Sequence, residues 1–114
     1  MRARLDQIVF DCHEPRTLVR FWAGLVGGDP VDRGLGWSHV QPPDLPRLAF
    51  QPVPENKGVK NRVHLDIGVD DIDAAVVRAR RLVAVRVGET VTDAQGSFQV
   101  MADPEGNEFC FVSD

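Results

Sequence analysis

Tyrosine is missing from this chain, aromatic residues make up only 7% of it, and cysteine occurs twice, as Cys12 and Cys110. Two cysteines without a Cys-x-x-Cys spacing exclude a zinc ribbon or a dithiol redox centre, and both are expected to be free thiols. Basic residues are in the minority: 13 Lys and Arg stand against 17 Asp and Glu, a net charge of −4. That balance, with a pI near 5.3, lacks the basic footprint of a nucleic-acid binder. Arg78, Arg80, Arg81 and Arg86 do cluster, but they fall near an expected helix end, where cations complement the dipole on a solvated face. No apolar run approaches the roughly 20 residues that a membrane span needs, and the start of the chain has no signal-peptide core. The expectation is a cytoplasmic protein without nucleic-acid or membrane partners. There is also no glycine-rich phosphate loop and no Gly-x-Ser-x-Gly elbow.

What is present is ordinary for a folded domain: 114 residues, 43% hydrophobic and 26% charged, enough for one domain over 1–114 with a real core. "LDQIVFDC" (5–12) alternates as a strand, and Pro15 opens a helix whose apolar stripe is Leu18, Val19, Phe21, Trp22, Leu25 and Val26. Gly27-Gly28 ends it. Short strands are expected at about 30–33, 36–41 and 47–53, with "PPDLP" as a turn, and then a polar loop over 54–61. A strand over 62–69 follows, with Asp70 as the next helix cap and Asp73 in a capping-box-like place. Ile72, Ala75, Val76, Ala79, Leu82 and Val83 form the second stripe. Strands at about 85–91, 97–102 and 107–112 complete the chain, the last two joined by "DPEG".

The order strand, helix, three strands is therefore written twice. At an offset of 57 residues Gln7 falls on His64, and Ile8, Phe10, Val19 and Leu25 fall on Leu65, Ile67, Val76 and Leu82. Two units cannot make a solenoid. They suggest an α+β fold of two βαβββ modules, about 5–53 and 62–112, with curved mixed sheets round a cavity and helices outside.

Within the second module, "KNRVHLDIGVDDIDAA" (60–75) places His64, Asp66 and Gly68 on one strand face and Leu65, Ile67 and Val69 on the other. The same alternation puts Ile8, Phe10, Phe109 and Phe111 under the helices. His64 is open to three readings: a metal ligand, a polar cavity residue that binds or moves a proton in a ligand, or a histidine satisfied by Asp66 or water. A His–Asp pair suits general-base work, because imidazole titrates near neutral pH and a carboxylate raises its basicity. Cys110 reads first as a small buried hydrophobe and second as a nucleophile. Trp37 and His39 share a face that is either pocket wall or exposed sheet, Trp22 is expected in the core, and His13 is expected as a local cap or solvent contact.

"FWAGLVGG", "RVHLDIGVDDIDAA" and "DPEGNEFCFV" resemble the glyoxalase / bleomycin-resistance / extradiol-dioxygenase superfamily, the vicinal oxygen chelate fold, and most of all its glyoxalase-like branch. The resemblance spans residues 5–112. It implies that the face bearing His64 and Asp66 lines a cavity, and that the family's metal-ligand positions fall here on Gln7, His64 and Cys110, with Ala49 in the fourth strand. Metal-dependent members of the family usually carry Glu at the position of Cys110. Gln, His and Cys suit magnesium, manganese or iron(II) poorly, which leaves zinc as the plausible ion. The resemblance also implies a homodimer. Two functions follow as expectations. One is metal-free binding, sequestration or catalysis on a small molecule, with His64 and Asp66 as the reactive pair and Gln7, Ala49, Gln51, Trp37, His39 and Cys110 around the ligand. The alternative is a lyase, isomerase or dioxygenase using Gln7, His64 and Cys110 round a divalent metal.

Overall fold

A computed structural model describes all residues, 1–114. The chain divides into two compact units, Met1–Asn56 and Lys57–Asp114. The first contains β1 (Gln7–Cys12), α1 (Pro15–Val26), β2 (Val31–Asp32), β3 (Ser38–Val40) and β4 (Arg47–Pro52). The second contains β5 (Leu65–Gly68), α2 (Ile72–Arg81), β6 (Val85–Asp93), β7 (Gly96–Ala102) and β8 (Glu108–Ser113). Each is a βαβββ unit with a four-stranded mixed sheet, ordered β1-β4-β3-β2 in one and β5-β8-β7-β6 in the other.

The ladder registers make the internal repeat explicit. β1 runs parallel to β4 with Ile8 beside Leu48 and Val9 beside Ala49. β5 runs parallel to β8 with Leu65 beside Phe109 and Asp66 beside Cys110. Val9 therefore corresponds to Asp66 and Ala49 to Cys110. Strand alternation does the rest, sending one residue set under the helix and the other to the open face.

In the first unit Trp22 is buried and meets Phe10 with ring centroids 5.3 Å apart, while Phe10 meets Phe50 at 5.2 Å. Leu18, Val19, Leu48 and Phe50 close this core at 0% exposure. In the second unit Phe109 and Phe111 pack edge to face at 5.5 Å beneath Ile72, Val76 and Ala79 of α2. Of the residues expected to face the helices, Phe10 meets Trp22 of α1, and Phe109 and Phe111 are buried.

Several local expectations are corrected. The cap of α2 is Asp71, whose carboxylate accepts the Ala74 N–H at 3.1 Å; Asp70 lies one residue too early. With Asp71 as cap the capping-box position passes to Ala74, and Asp73 acts only as an acidic residue in the first turn, favourable to the helix dipole. The end of α2 carries no glycine. Val83 takes the left-handed conformation instead (φ 76°), and the Ala84 N–H bonds back to the Ala79 carbonyl at 2.9 Å. Val83 thus leaves the apolar stripe and stands 70% exposed. His13 does not cap α1 but is exposed, in line with the alternative expectation of a solvent contact. The residue before the helix is Glu14, which makes no side-chain cap bond, and His13 contacts the Pro54 carbonyl. β2 is a two-residue strand followed by a 3-10 turn, Gly34–Gly36, that the sequence pattern did not indicate.

β6 runs to Asp93 and is interrupted by a bulge between Val87 and Val91. The fully buried Gln99 of β7 organises it: its amide donates to the Val87 and Gly88 carbonyls, and its oxygen accepts from Arg86 and Thr90. A buried amide is tolerated here because every polar atom has a partner.

Candidate functional site

β5 and β8 place His64, Asp66 and Cys110 on one open face of the second sheet, because Asp66 and Cys110 are register partners and His64 lies one pleat before Asp66. His64 sits just ahead of the strand, which begins at Leu65 rather than at 62. The His64 Nε2 lies 3.2 Å from the Asp66 Oδ1, and the two side chains are 50% and 55% exposed. Phe98 and Val100 of β7 and Val112 of β8 supply an apolar floor, so that the face forms an open hollow of about 890 Å³. Cys110 lines it while only 8% exposed. Burial pushes its thiol up, and the neighbouring Asp66 carboxylate adds to this, so the neutral thiol prevails at neutral pH. That weighs against Cys110 as a ready nucleophile.

The lip of this hollow contains a device that the sequence reading missed. Glu108, the residue after "DPEGN", accepts the backbone N–H of Asn61 at 3.0 Å and the Lys60 ammonium at 2.9 Å, with Lys57 at 3.3 Å. These bonds hold its carboxyl well down, at about 2, with the Asn61 N–H as the largest cause and Lys60 next. Asn61 answers by accepting the Glu108 N–H through its own Oδ1 at 3.2 Å. The polar loop ahead of His64 is thereby tied to the start of β8. The turn before it is equally organised: Asp103, 2% exposed, accepts from the N–H groups of Glu105 and Asn107 and from the Asn107 side chain, while Gly106 supplies φ 85°. The available sequence signal was the acidic residue following a tight turn opposite two lysines.

The remaining site candidates gather on the open face of the first sheet. Gln7, Trp37, His39 and Ala49 line a smaller hollow of about 360 Å³ together with Arg33 and Leu35. This is pocket wall rather than plain surface for Trp37 and His39. Gln51 shares the face through its register with Asp11 but lines neither hollow. His39 is held below the usual imidazole range, first by burial and then by the Arg47 and Arg33 charges.

The donors available to a metal in the second unit are His64, Asp66 and Cys110, whose ligand atoms all lie within 4.8 Å of one another. Asp66 provides the carboxylate that the family positions alone lacked. One imidazole, one carboxylate and one thiol form a set compatible with zinc once the thiol ionises, with water filling a vacancy. It remains a poor set for magnesium or manganese, which favour oxygen ligands. In the first unit the corresponding positions hold Gln7, Val9 and Ala49, of which only Gln7 can donate.

No helix of the structure is long and apolar enough to cross a membrane. The fold recurs in solved structures. A glyoxalase/bleomycin resistance protein/dioxygenase family enzyme from Burkholderia phytofirmans PsJN superposes with a TM-score of 0.81 at 17% identity, over 97% of this chain and 98% of its own. The fosfomycin resistance protein FosX from Listeria monocytogenes gives 0.80 at 10% identity, over 100% and 95% of the two chains. FosX from Mesorhizobium loti gives 0.77 at 16%, over 100% and 94%. Comparison with curated proteins finds no match. At these identities the superpositions speak for the fold alone; family membership rests on the sequence itself. Residues 7–112, nearly the whole chain and both βαβββ units, match the glyoxalase-like domain profile, and the protein belongs to that family.

Proposed function

We propose that this protein binds a small, flat, partly apolar molecule on the open face of a sheet, without a metal, and either sequesters it or, in the second unit, moves a proton on it through His64. The reading adopts Gln7, Ala49, Trp37, His39 and Gln51 as ligand neighbours in the first unit, and His64, Asp66 and Cys110 in the second. One observation carries it: the 3.2 Å approach of His64 to Asp66 in a hollow floored by Phe98, Val100 and Val112. Convergent polar groups over an apolar floor are the usual make-up of a small-molecule site.

With Nε2 turned to Asp66, Nδ1 of His64 is left to meet the ligand. If Nδ1 takes a proton, the Asp66 carboxylate stabilises the imidazolium that results. In the free protein both groups are half in water, and such a pair is worth less than about 1 kcal/mol. A flat ligand laid on the floor displaces that water, and the same pair then acts in a lower dielectric, where it counts for more. A cytoplasmic homodimer remains part of this reading.

A second reading is favoured by the 4.8 Å cluster of His64, Asp66 and Cys110. Those three residues would hold a zinc ion, which supplies Lewis-acid polarisation of a ligand oxygen when bound.

The test is a ligand-observed NMR screen of small oxygenated ring compounds against the wild-type chain, His64→Ala and Asp66→Asn. Ligands should bind the wild type and be lost from His64→Ala, while the thermal midpoint of the free protein stays the same. Undiminished binding to His64→Ala would move the site elsewhere.

A further inference from the structure

We infer that the hollow of the first unit selects an anion: a carboxylate or similar oxyanion carried on a ring-sized apolar body, held by Arg33 beside Trp37, with Arg47 adding charge from outside the lining. This deepens the reading above and rests on its assignment of Gln7, Trp37 and His39 as ligand neighbours.

In a chain with a net charge of −4, six of the 13 lysines and arginines pair with carboxylates, among them Arg4 with Asp6, and Arg16 and Arg20 with Asp32. Arg33 and Arg47 meet no carboxylate, and both act on His39. Strand alternation puts Arg47 on the same open face as Gln7, its register partner, and as Ala49 and His39. The only carboxylate the strands place on that face is Asp11, four residues along β1 from Gln7. At about 3.3 Å of rise per residue it lies roughly 13 Å away. From Gln7 that is beyond the screening length of about 8 Å at physiological salt, although Val9, beside Ala49, is only two residues from Asp11. At the Arg33 and Gln7 end of the hollow no ion pair offsets the positive charge.

The shape agrees with the charge. The Arg33 N–H donates to the Trp37 carbonyl at 2.7 Å, which closes the Gly34–Gly36 turn and sets Arg33 and Trp37 side by side at its base. Leu35 at its tip is 94% exposed and left-handed (φ 62°), an apolar side chain on the rim of the hollow. A planar guanidinium matches a carboxylate with two parallel bonds. The half-buried Trp37 ring offers a face to an apolar ring, and the Gln7 amide offers one further donor. About 360 Å³ is room for a ring-sized acid. The hollow of the second unit has the opposite character, with Asp66, Asp70, Asp93 and Glu108 in its lining against Lys60 as its only lysine or arginine.

Benzoate and benzamidine make matched probes, equal in ring and opposite in charge, and each is titrated into the ¹⁵N-labelled full chain. Benzoate should shift the Trp37 indole N–H and leave that of the buried Trp22 in place; benzamidine should leave Trp37 unmoved. Arg33→Ala should weaken benzoate about tenfold, the loss of one charge-assisted contact; Arg33→Lys should lose less, and so should Arg47→Ala, which removes a charge outside the lining. An unchanged Trp22 signal in the variants shows that the fold is intact. Equal shifts of Trp37 by both probes would overturn the anion preference while leaving the ligand-binding reading standing. If neither probe moves Trp37, the inference and the ligand role of this hollow both fall. Unchanged benzoate affinity in the Arg33→Ala, Arg47→Ala double variant would remove the arginines from the site.

Discussion

Glu108 offers the sharpest test of how the second unit holds its hollow open. Glu108→Gln keeps an oxygen that can accept the Asn61 N–H but removes the charge facing Lys60 and Lys57. The carboxyl is lowered from 4.5 to about 2, equivalent to about 3 kcal/mol if all of it were stability. Lys60 is 79% exposed, and water screens its share, so a loss of about 1–2 kcal/mol is expected at pH 6. Because the folded carboxyl binds its proton less readily than the unfolded one, its contribution is complete above about pH 4.5 and is lost as the pH falls towards 2. Urea unfolding at pH 6, 4, 3 and 2 measures this directly. The gap between wild type and Glu108→Gln should shrink steadily and close near pH 2. Glu108→Ala should cost more at pH 6, since it also leaves the Asn61 N–H without its acceptor. A gap between wild type and Glu108→Gln that stays constant from pH 6 to pH 2 would refute the charge as its origin.

Dialysed protein should carry well under one divalent metal per chain by elemental analysis; one zinc per chain that disappears in Cys110→Ala would instead establish the metal-dependent reading. Alkylation by iodoacetamide at pH 7.5 should be slow at both thiols, because Cys12 is 3% exposed and the Cys110 thiol is pushed up by burial. Urea should restore the rate of an ordinary cysteine, and fast reaction of the native protein would show that Cys110 is activated.

The architecture was legible because two patterns of different period alternate twice along the chain, and the offset between Gln7 and His64 aligned them. Pleat parity then assigned the faces: Phe109 and Phe111 inward, Cys110 outward. Legibility failed where a backbone conformation was supplied by an unexpected residue. Helix α2 ends through Val83 in a conformation that glycine usually provides, so no sequence signal marked the stop. Asp70 was the expected cap, and the backbone geometry places the cap on its neighbour Asp71 instead. In the site, the His64–Asp66 spacing was visible but their contact depended on rotamers. The roles of Glu108 and Arg33 were not visible, because each depends on a partner or a void assembled by the fold: Glu108 on a loop 47 residues upstream, Arg33 on a turn that a hydrophobic pattern does not encode.

The bulge that Gln99 holds in β6 bears on solubility. β6 is an edge of its sheet, nine residues long, with Val85, Val87 and Val91 all more than 40% exposed. A straight, apolar edge of that length invites a strand from another molecule. The register shift between Val87 and Val91 breaks the run into two short pieces, and Gly88 (φ 71°) turns the edge away between them. Arg86 and Glu89, 3.6 Å apart, add charge at the same point. The buried amide thus guards the chain against adding to itself edge to edge, so substitutions at Gln99 or Gly88 should appear first as aggregation of the expressed protein, before any loss at the ligand hollows.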